Sequence, residues 1–402
     1  MELEQADEIA RANIRCAFVS TNSITQGEQV GVLWSELFRQ GLRIHFAHRT
    51  FKWSNEAPGK AAVHCVIIGF GLGEPKTARL FDYADPAGDA HEIKATRINP
   101  YLVDAPEVAL PNRKTPICDV PEMAFGSMPN DGGHLLLADA DKVDLLAAEP
   151  GAAAWVRPFL GSEEFINGVS RWCLWLKDVE PAQLRALPQV SARVERVRQN
   201  RLVSARQATK KLAESPRLFG EDRQPSAAYL LIPAHSSESR TYVPIGFMSP
   251  DVICGNANLT VPNATLYHFG ILTSNMHMAW LRAVCGRLES RYRYSAGIVY
   301  NNFPWPSRHE DDAKTEAAIE AAAQAVLDAR AAHPGSTLAD LYDPNAMPDD
   351  LRRAHKALDK AVDAAYQADG GKKTWADDAE RVGFLFQRYA ALTGLLGDVP
   401  DA

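Results

Sequence analysis

AAVHCVIIGF, residues 61–70, is the stretch on which the fold class turns. His64 is its only polar side chain, and Val63, Val66, Ile67 and Ile68 are β-branched. A strand buried on both faces reads as such an unbroken run, so this segment is expected in the interior of a sheet. Upstream, CAFVS (16–20) is a second apolar run, entering Ser-Thr-Asn. It is expected to be a buried parallel strand leading into a loop. Residues 26–39 place Val30, Leu33, Trp34, Leu37 and Phe38 at helical spacing. RIHF (43–46) reads as another strand, and residues 3–13 as a short helix. Strand–helix–strand–strand is the order of an α/β sheet that finishes in a β-hairpin.

Downstream the periodicity weakens. Residues 74–150 are rich in Pro, Gly and Asp and read as an irregular excursion from the sheet. A Trp/Phe cluster in 161–176 reads as local core. Residues 182–215 are expected to form one long helix, limited by Pro216. Strands are expected at 227–232, 241–247 and 259–261, and a helix at 273–288. Residues 294–305 are expected to be extended up to the rigid Phe-Pro-Trp-Pro. Helices are expected over 311–332, 349–367 and 375–395.

The chain of 402 residues suffices for two or three domains. Its composition, 46% hydrophobic and 23% charged, is that of a soluble globular protein. No run approaches the roughly 20 apolar residues of a membrane helix. The opening MELEQADEIARANIR is too acidic and polar for a signal peptide. The six cysteines, Cys16, Cys65, Cys118, Cys173, Cys254 and Cys285, form no Cys-x-x-Cys pair. That spacing argues against zinc and for reduced, mostly buried thiols in a cytoplasmic protein.

The net charge of -7 is unevenly placed. From residue 309 onward there are 18 acidic and 10 basic residues, which leaves 32 acidic and 33 basic before it. Residues 191–217 hold eight basic side chains against Glu195 and Glu214 alone. Affinity for nucleic acid follows local cationic surface and not the sum. A basic helix is also a common solvated face.

Four runs carry a resemblance. STNSITQGEQVGVLW (20–34), FAHRTFKWSNEAPGKAAVHCVIIGF (46–70), SSESRTYVPIGF (236–247) and YHFGILTSNMHMAWLRAVCGRLESRYRYSAGIVYNNFPWP (267–306) resemble, in order and over nearly the whole chain, the MmeI-like adenine-specific DNA methyltransferases of type IIL restriction–modification systems. The resemblance implies the C-terminal part of a class I methyltransferase sheet, then an α+β target-recognition domain and a helical tail. The implied boundaries are 1–180 for the second half of the catalytic domain, 181–308 for the recognition domain and 309–402 for the tail. In that family the S-adenosylmethionine motif and the Asn-Pro-Pro-Tyr/Phe motif come first, upstream of the position of Ser20. Neither is found in this sequence, and Asn99-Pro100-Tyr101 reads as a loop. The expectation is therefore a chain inactive alone, acting on double-stranded DNA with an N-terminal methyltransferase half in the same or a separate polypeptide. The alternative is a standalone specificity protein serving a separate methylase subunit.

The resemblance also implies sites. A base that is methylated must leave the duplex, and its face then needs an aromatic partner. Phe51 and Trp53, two apart and so on one face of a strand, are the candidates, unless they merely pack on the sheet. The loop 20–29 would line the pocket, or only start the next helix with Thr25 or Ser23 as its cap. Glu289 and Arg291 resemble a pair that reads one base pair: a carboxylate accepts from cytosine N4, and a guanidinium donates to guanine O6 and N7. The competing reading is a surface ion pair. Ser236, Ser237, Glu238 and Arg240 form a polar loop suited to bases or phosphates. Arg293 and Tyr294 lie in the next matching run. Arg198 and Arg201, on the basic helix, suit phosphates, which position without reading. Asn301 and Asn302 could address adenine N6 and N7 or satisfy the backbone of the bend before Pro304, the second being the better fit.

Overall fold

The computed structural model describes residues 14–53, 63–307 and 313–395, and the helix expected over residues 3–13 lies outside them. The described residues fall into two compact units. The first is drawn from Met1–Val120, Ser274–Thr315 and Asp359–Ala402, the second from Pro121–Thr273 and Glu316–Leu358.

The first unit begins with strand β1 (Arg15–Thr21), a short 3₁₀ turn (Asn22–Thr25) and helix α1 (Glu28–Arg39). Strands β2 (Leu42–Trp53), β3 (Val63–Leu72), β4 (Ala78–Tyr83) and β5 (Ala90–Ala95) follow. The sheet order is β1-β3-β2-β4-β5. β3 is interior, as its apolar run predicts, with Val66 and Ile68 buried. Gly69 pairs with Phe46 of β2 and makes room for its ring, since a Cβ there would fall 2.0 Å from it. α1 buries Val30 and Trp34, and the Trp34 indole donates to the Ile24 carbonyl at 2.7 Å, tying the helix to the 3₁₀ turn.

β1 corrects an expectation. It is not a buried parallel strand: it runs antiparallel to β3 and stands at the end of the sheet. Phe18 is 64% and Val19 52% exposed. An apolar run reports what a strand is able to bury, not the direction or the presence of its neighbour. β2 also extends well beyond the expected 43–46. It carries register shifts between Ile44 and Phe46 and between His48 and Phe51, and its partner β4 runs parallel to it.

The second unit holds short strands β6 (Ala124–Phe125) and β7 (Leu136–Leu137), helix α2 (Asp139–Ala148), β8 (Val156–Leu160), α3 (Ser162–Asn167) and β9 (Trp172–Leu174). Helices α4 (Pro181–Arg185), α5 (Pro188–Leu202) and α6 (Gln207–Lys211) come next. Then come β10 (Tyr229–Pro233), β11 (His235–Ser236), β12 (Gly246–Met248), β13 (Ile253–Cys254), β14 (Asn258–Pro262) and α7 (Leu266–Thr273). One sheet runs β12-β10-β14-β6 and another β13-β8-β9-β7. Leu137, Phe159, Leu174, Val190, Val194 and Val197 share one core.

Three expectations change here. The long helix over 182–215 is broken. Leu187 takes non-helical angles and Pro188 opens a new helix, because a proline ring clashes with the preceding turn but fits a first helical position. The strand expected over 241–247 shrinks to Gly246–Met248. α2, inside the segment read as irregular, passed unseen because its apolar stripe is thin: it buries Leu145 alone.

The chain returns to the first unit with α8 (Asn275–Val284), whose N-cap Ser274 accepts from the His277 amide. A hairpin of β15 (Gly286–Leu288) and β16 (Arg291–Arg293) follows. Residues expected to be extended then form a π-helical turn over Ala296–Tyr300. It holds because the buried Asn302 amide donates to the Gly297 and Pro111 carbonyls at 2.8 and 2.9 Å, while Asn301 donates to Arg113. The helical C-terminal region comprises α9 (Ala313–Ala331), α10 (Leu338–Leu341), α11 (Asp349–Ala365) and α12 (Asp378–Leu392). Trp280 of α8 and Phe386 of α12 meet at 5.0 Å in the first unit's core.

Candidate functional site

The register shift after His48 inserts an extra residue into β2, so His48 and Phe51 both face Tyr83 of β4. Bulges of this kind re-aim side chains. The result is a chain of rings. His48 stacks on Phe81 at 4.3 Å and hydrogen-bonds the Tyr83 hydroxyl through Nδ1 at 2.9 Å. Phe51 stacks on Tyr83 at 5.4 Å, and Trp53 lies 6.0 Å from Phe51. Burial holds the His48 imidazole below its ordinary pKa. Phe51 and Trp53 do share a face. Phe51 already has a ring partner, whereas Trp53 is 45% exposed and ends the series.

The β15–β16 hairpin pairs Leu288 with Arg291 across the two-residue turn Glu289-Ser290. Such turns need left-handed backbone, usually supplied by Gly or Asn. Glu289 supplies it at φ +58°, which for a residue with a Cβ costs roughly 1–2 kcal/mol. Its carboxylate accepts from Arg291 at 3.0 Å. Both side chains are exposed, as is Arg293. Tyr294 is buried, its hydroxyl 2.8 Å from His277 Nε2.

In the polar loop Ser236 is buried, while Ser237 and Arg240 are half-buried and Glu238 is exposed. The Ser237 and Ser239 hydroxyls bond each other at 2.8 Å. On α5, Arg198 is exposed and pairs loosely with Glu195 at 3.5 Å. Arg201 differs completely. It is fully buried, and its guanidinium donates to the carbonyls of Pro129, Asn130, Leu212, Ser215 and Leu218. The expectation of a phosphate contact from Arg201 is thereby corrected: all its nitrogens are spent on backbone. Sequence spacing carried the signal, since Val190, Val194, Val197 and Arg201 form one helical stripe.

Sequence reasoning missed a cavity of about 230 Å³ in the first unit. The 3₁₀ turn and its exit provide Thr25 and Gln26, β2 provides Arg49 and Thr50, and the α8–β15 corner provides Arg282 and Arg287. Among the described residues of the lining Asp82 is the one carboxylate, and it pairs with Arg49 at 3.1 Å. Arg49 also donates to the carbonyl of Leu102, a buried residue at φ +57°. The turn is locked to the corner by Gly27, whose amide donates to Val284 and whose Cβ, if present, would lie 3.0 Å from Gly286 Cα.

Comparison with known proteins identifies the lineage. Residues 104–307 match the family model described as the MmeI target recognition domain. The chain belongs to the MmeI family. Residues 3–82 match the MmeI DNA-methyltransferase domain, and residues 310–397 the MmeI C-terminal domain. DNA methyltransferase A of Bacillus subtilis (strain 168) is 40% identical over 381 residues, which cover 95% of this chain and 42% of that protein. The type IIL restriction–modification enzyme MmeI, solved in complex with DNA, is 48% identical with a TM-score of 0.86, over 97% of this chain and 51% of that one. The chain thus spans about half the length of the relatives it matches. As a member of the MmeI family it has the mixed α/β architecture and the helical C-terminal region that the resemblance implied. Among its described residues no helix is long and apolar enough to cross a membrane.

Proposed function

We propose that this chain supplies the DNA sequence-reading surface and one wall of the target-base pocket of an S-adenosylmethionine-dependent adenine-N6 DNA methyltransferase. The observation that carries the reading is the hairpin turn. Glu289 and Arg291 stand out from a chain of the MmeI family, exposed and 3.0 Å apart, on a backbone strained at Glu289. Strain kept at an exposed turn points to function. The carboxylate and guanidinium hold each other in place in the free protein. On DNA they exchange that exposed ion pair, which is worth little, for hydrogen bonds to the two bases of one C·G pair. Trp53 is the better placed of the two aromatics to stack on an extruded adenine, with Phe51 and Tyr83 holding its base.

The cofactor does not fit the cavity of the first unit. S-adenosylmethionine carries a sulfonium and an ammonium, and the lining is three guanidiniums with a single, already paired carboxylate. We therefore assign cofactor binding and the adenine-activating acceptors to a further polypeptide segment. The exposed edge of β1 is the surface on which that segment would continue the sheet.

The test is selection from random duplexes by the purified chain, followed by sequencing of what is retained. One short enriched motif is expected. The double substitution Glu289→Lys with Arg291→Asp should change the preferred base pair at one position, by about 1–3 kcal/mol of discrimination, and leave the others intact. Uniform loss of affinity for all sequences would sink the reading.

A further inference from the structure

We propose that the cavity lined by Thr25, Gln26, Arg49, Thr50, Arg282 and Arg287 binds one phosphodiester of the DNA backbone and thereby sets the position of the base-reading turn. The inference rests on the nucleic-acid reading above and goes beyond it. It begins with a charge left over. Arg49 is matched by Asp82 at 3.1 Å and Arg282 by Asp378 at 2.7 Å. Arg287, half-buried, has no carboxylate within ion-pair distance among the described residues. Its guanidinium lies 4.2 Å over the Tyr292 ring, with Nη1 donating to the Ser290 carbonyl and Nη2 to the Arg282 carbonyl, both at 3.1 Å. A cation withdrawn from water and lacking a counter-charge calls for an anion.

The size and chemistry of the cavity select the anion. At about 230 Å³ it falls below the roughly 300 Å³ at which cofactor-sized sites begin. The Thr50 hydroxyl and the Gln26 side-chain amide add neutral donors around the guanidiniums, a set suited to a tetrahedral oxyanion, while the Thr25 hydroxyl, donated to the Asn22 carbonyl at 2.8 Å, only shapes the wall. The walls are fixed. Gly27 locks the turn to the hairpin corner, and the strained Leu102 carbonyl holds Arg49.

Arg287 is the link to sequence reading. It stands in β15 and holds Ser290, the residue between Glu289 and Arg291, through the Ser290 carbonyl. A phosphate drawn to Arg287 therefore fixes the register of the turn against the duplex, which is the division of labour between phosphate and base contacts.

The experiment measures duplex binding by the full chain across a salt series, with single neutral methylphosphonates scanned along each strand. Arg287→Gln should weaken binding of every duplex about tenfold to a hundredfold and lower the slope of log K against log salt by about one. One methylphosphonate should weaken the wild-type chain and leave Arg287→Gln unaffected. Arg287→Lys should keep the slope, and Thr50→Ala, which leaves the Arg287 bonds that hold the hairpin in place, should reproduce a smaller loss at the same phosphate. Thermal melts identify any variant that misfolds, and the wild-type scan and Thr50→Ala then decide. If DNA is bound but Arg287→Gln keeps the wild-type slope and the same methylphosphonate sensitivity, the pocket is not a phosphate site and the base-reading proposal stands. If the wild-type chain retains no duplex even at low salt, the nucleic-acid reading fails and the phosphate pocket with it.

Discussion

Arg198 and Arg201 stand three positions apart on one helix and do opposite things. Arg198 projects into solvent, while Arg201 threads into the core and collects five backbone carbonyls. Removing a buried donor strands its acceptors, each at a cost of about 1–3 kcal/mol. Arg201→Met should therefore destabilise the chain by at least ~3 kcal/mol in chemical denaturation, and Arg198→Met by less than ~0.5 kcal/mol. Equal small effects would mean that the carbonyls find other partners. Composition counted both as cationic surface, and only the helical stripe distinguishes them.

At the scale of elements, β1 is largely open to its surroundings. Its ladder to β3 is complete, but on its other side no strand pairs with it among the described residues. Phe18 and Val19 add apolar surface there. Unpaired, apolar edges invite pairing and open easily. Limited proteolysis of the isolated chain should cut first within the first 70 residues. A polypeptide that completes the sheet should slow those cuts tenfold or more. Cleavage that begins in the second unit would contradict this. The hairpin β15–β16 is the counter-example: three residues a side, yet held by the Arg287 guanidinium and by Gly27 at its base.

At the scale of the whole molecule, each unit buries a neutral histidine. Burial pushes the His277 pKa down to about 3 in the first unit, where Nε2 bonds the Tyr294 hydroxyl. In the second unit, burial and then the Arg330 charge drive His355 well below its ordinary value. The unfolded chain takes up protons on both near pH 6.5, while the folded chain does not. The unfolded state therefore binds more protons below that pH, and stability rises with pH in this range. It should be full above about pH 6.5 and decline as pH falls toward 3. The melting temperature should drop by several degrees between pH 7.5 and 5. His277→Gln should start lower and show a shallower slope, and an unchanged slope would remove His277 from the account.

What was legible in the sequence was whatever depends on local pattern. The unbroken run around Val66 and Ile68 identified an interior strand because only an interior position buries both faces. The spacing of Val30 and Trp34 identified α1, and the long matching runs identified the lineage. The pairing of Phe51 with Trp53 on one face was legible too, since strand alternation is local. What only the tertiary structure decided was which neighbours those patterns meet. No local rule says that CAFVS ends the sheet, or that Arg201 has five carbonyls waiting. Nor does one bring Thr25, Arg49 and Arg287, far apart in the chain, to a single cavity. That cavity exists because the bulged β2, the turn at Gly27 and the α8–β15 corner converge, and long-range convergence leaves no period in the sequence.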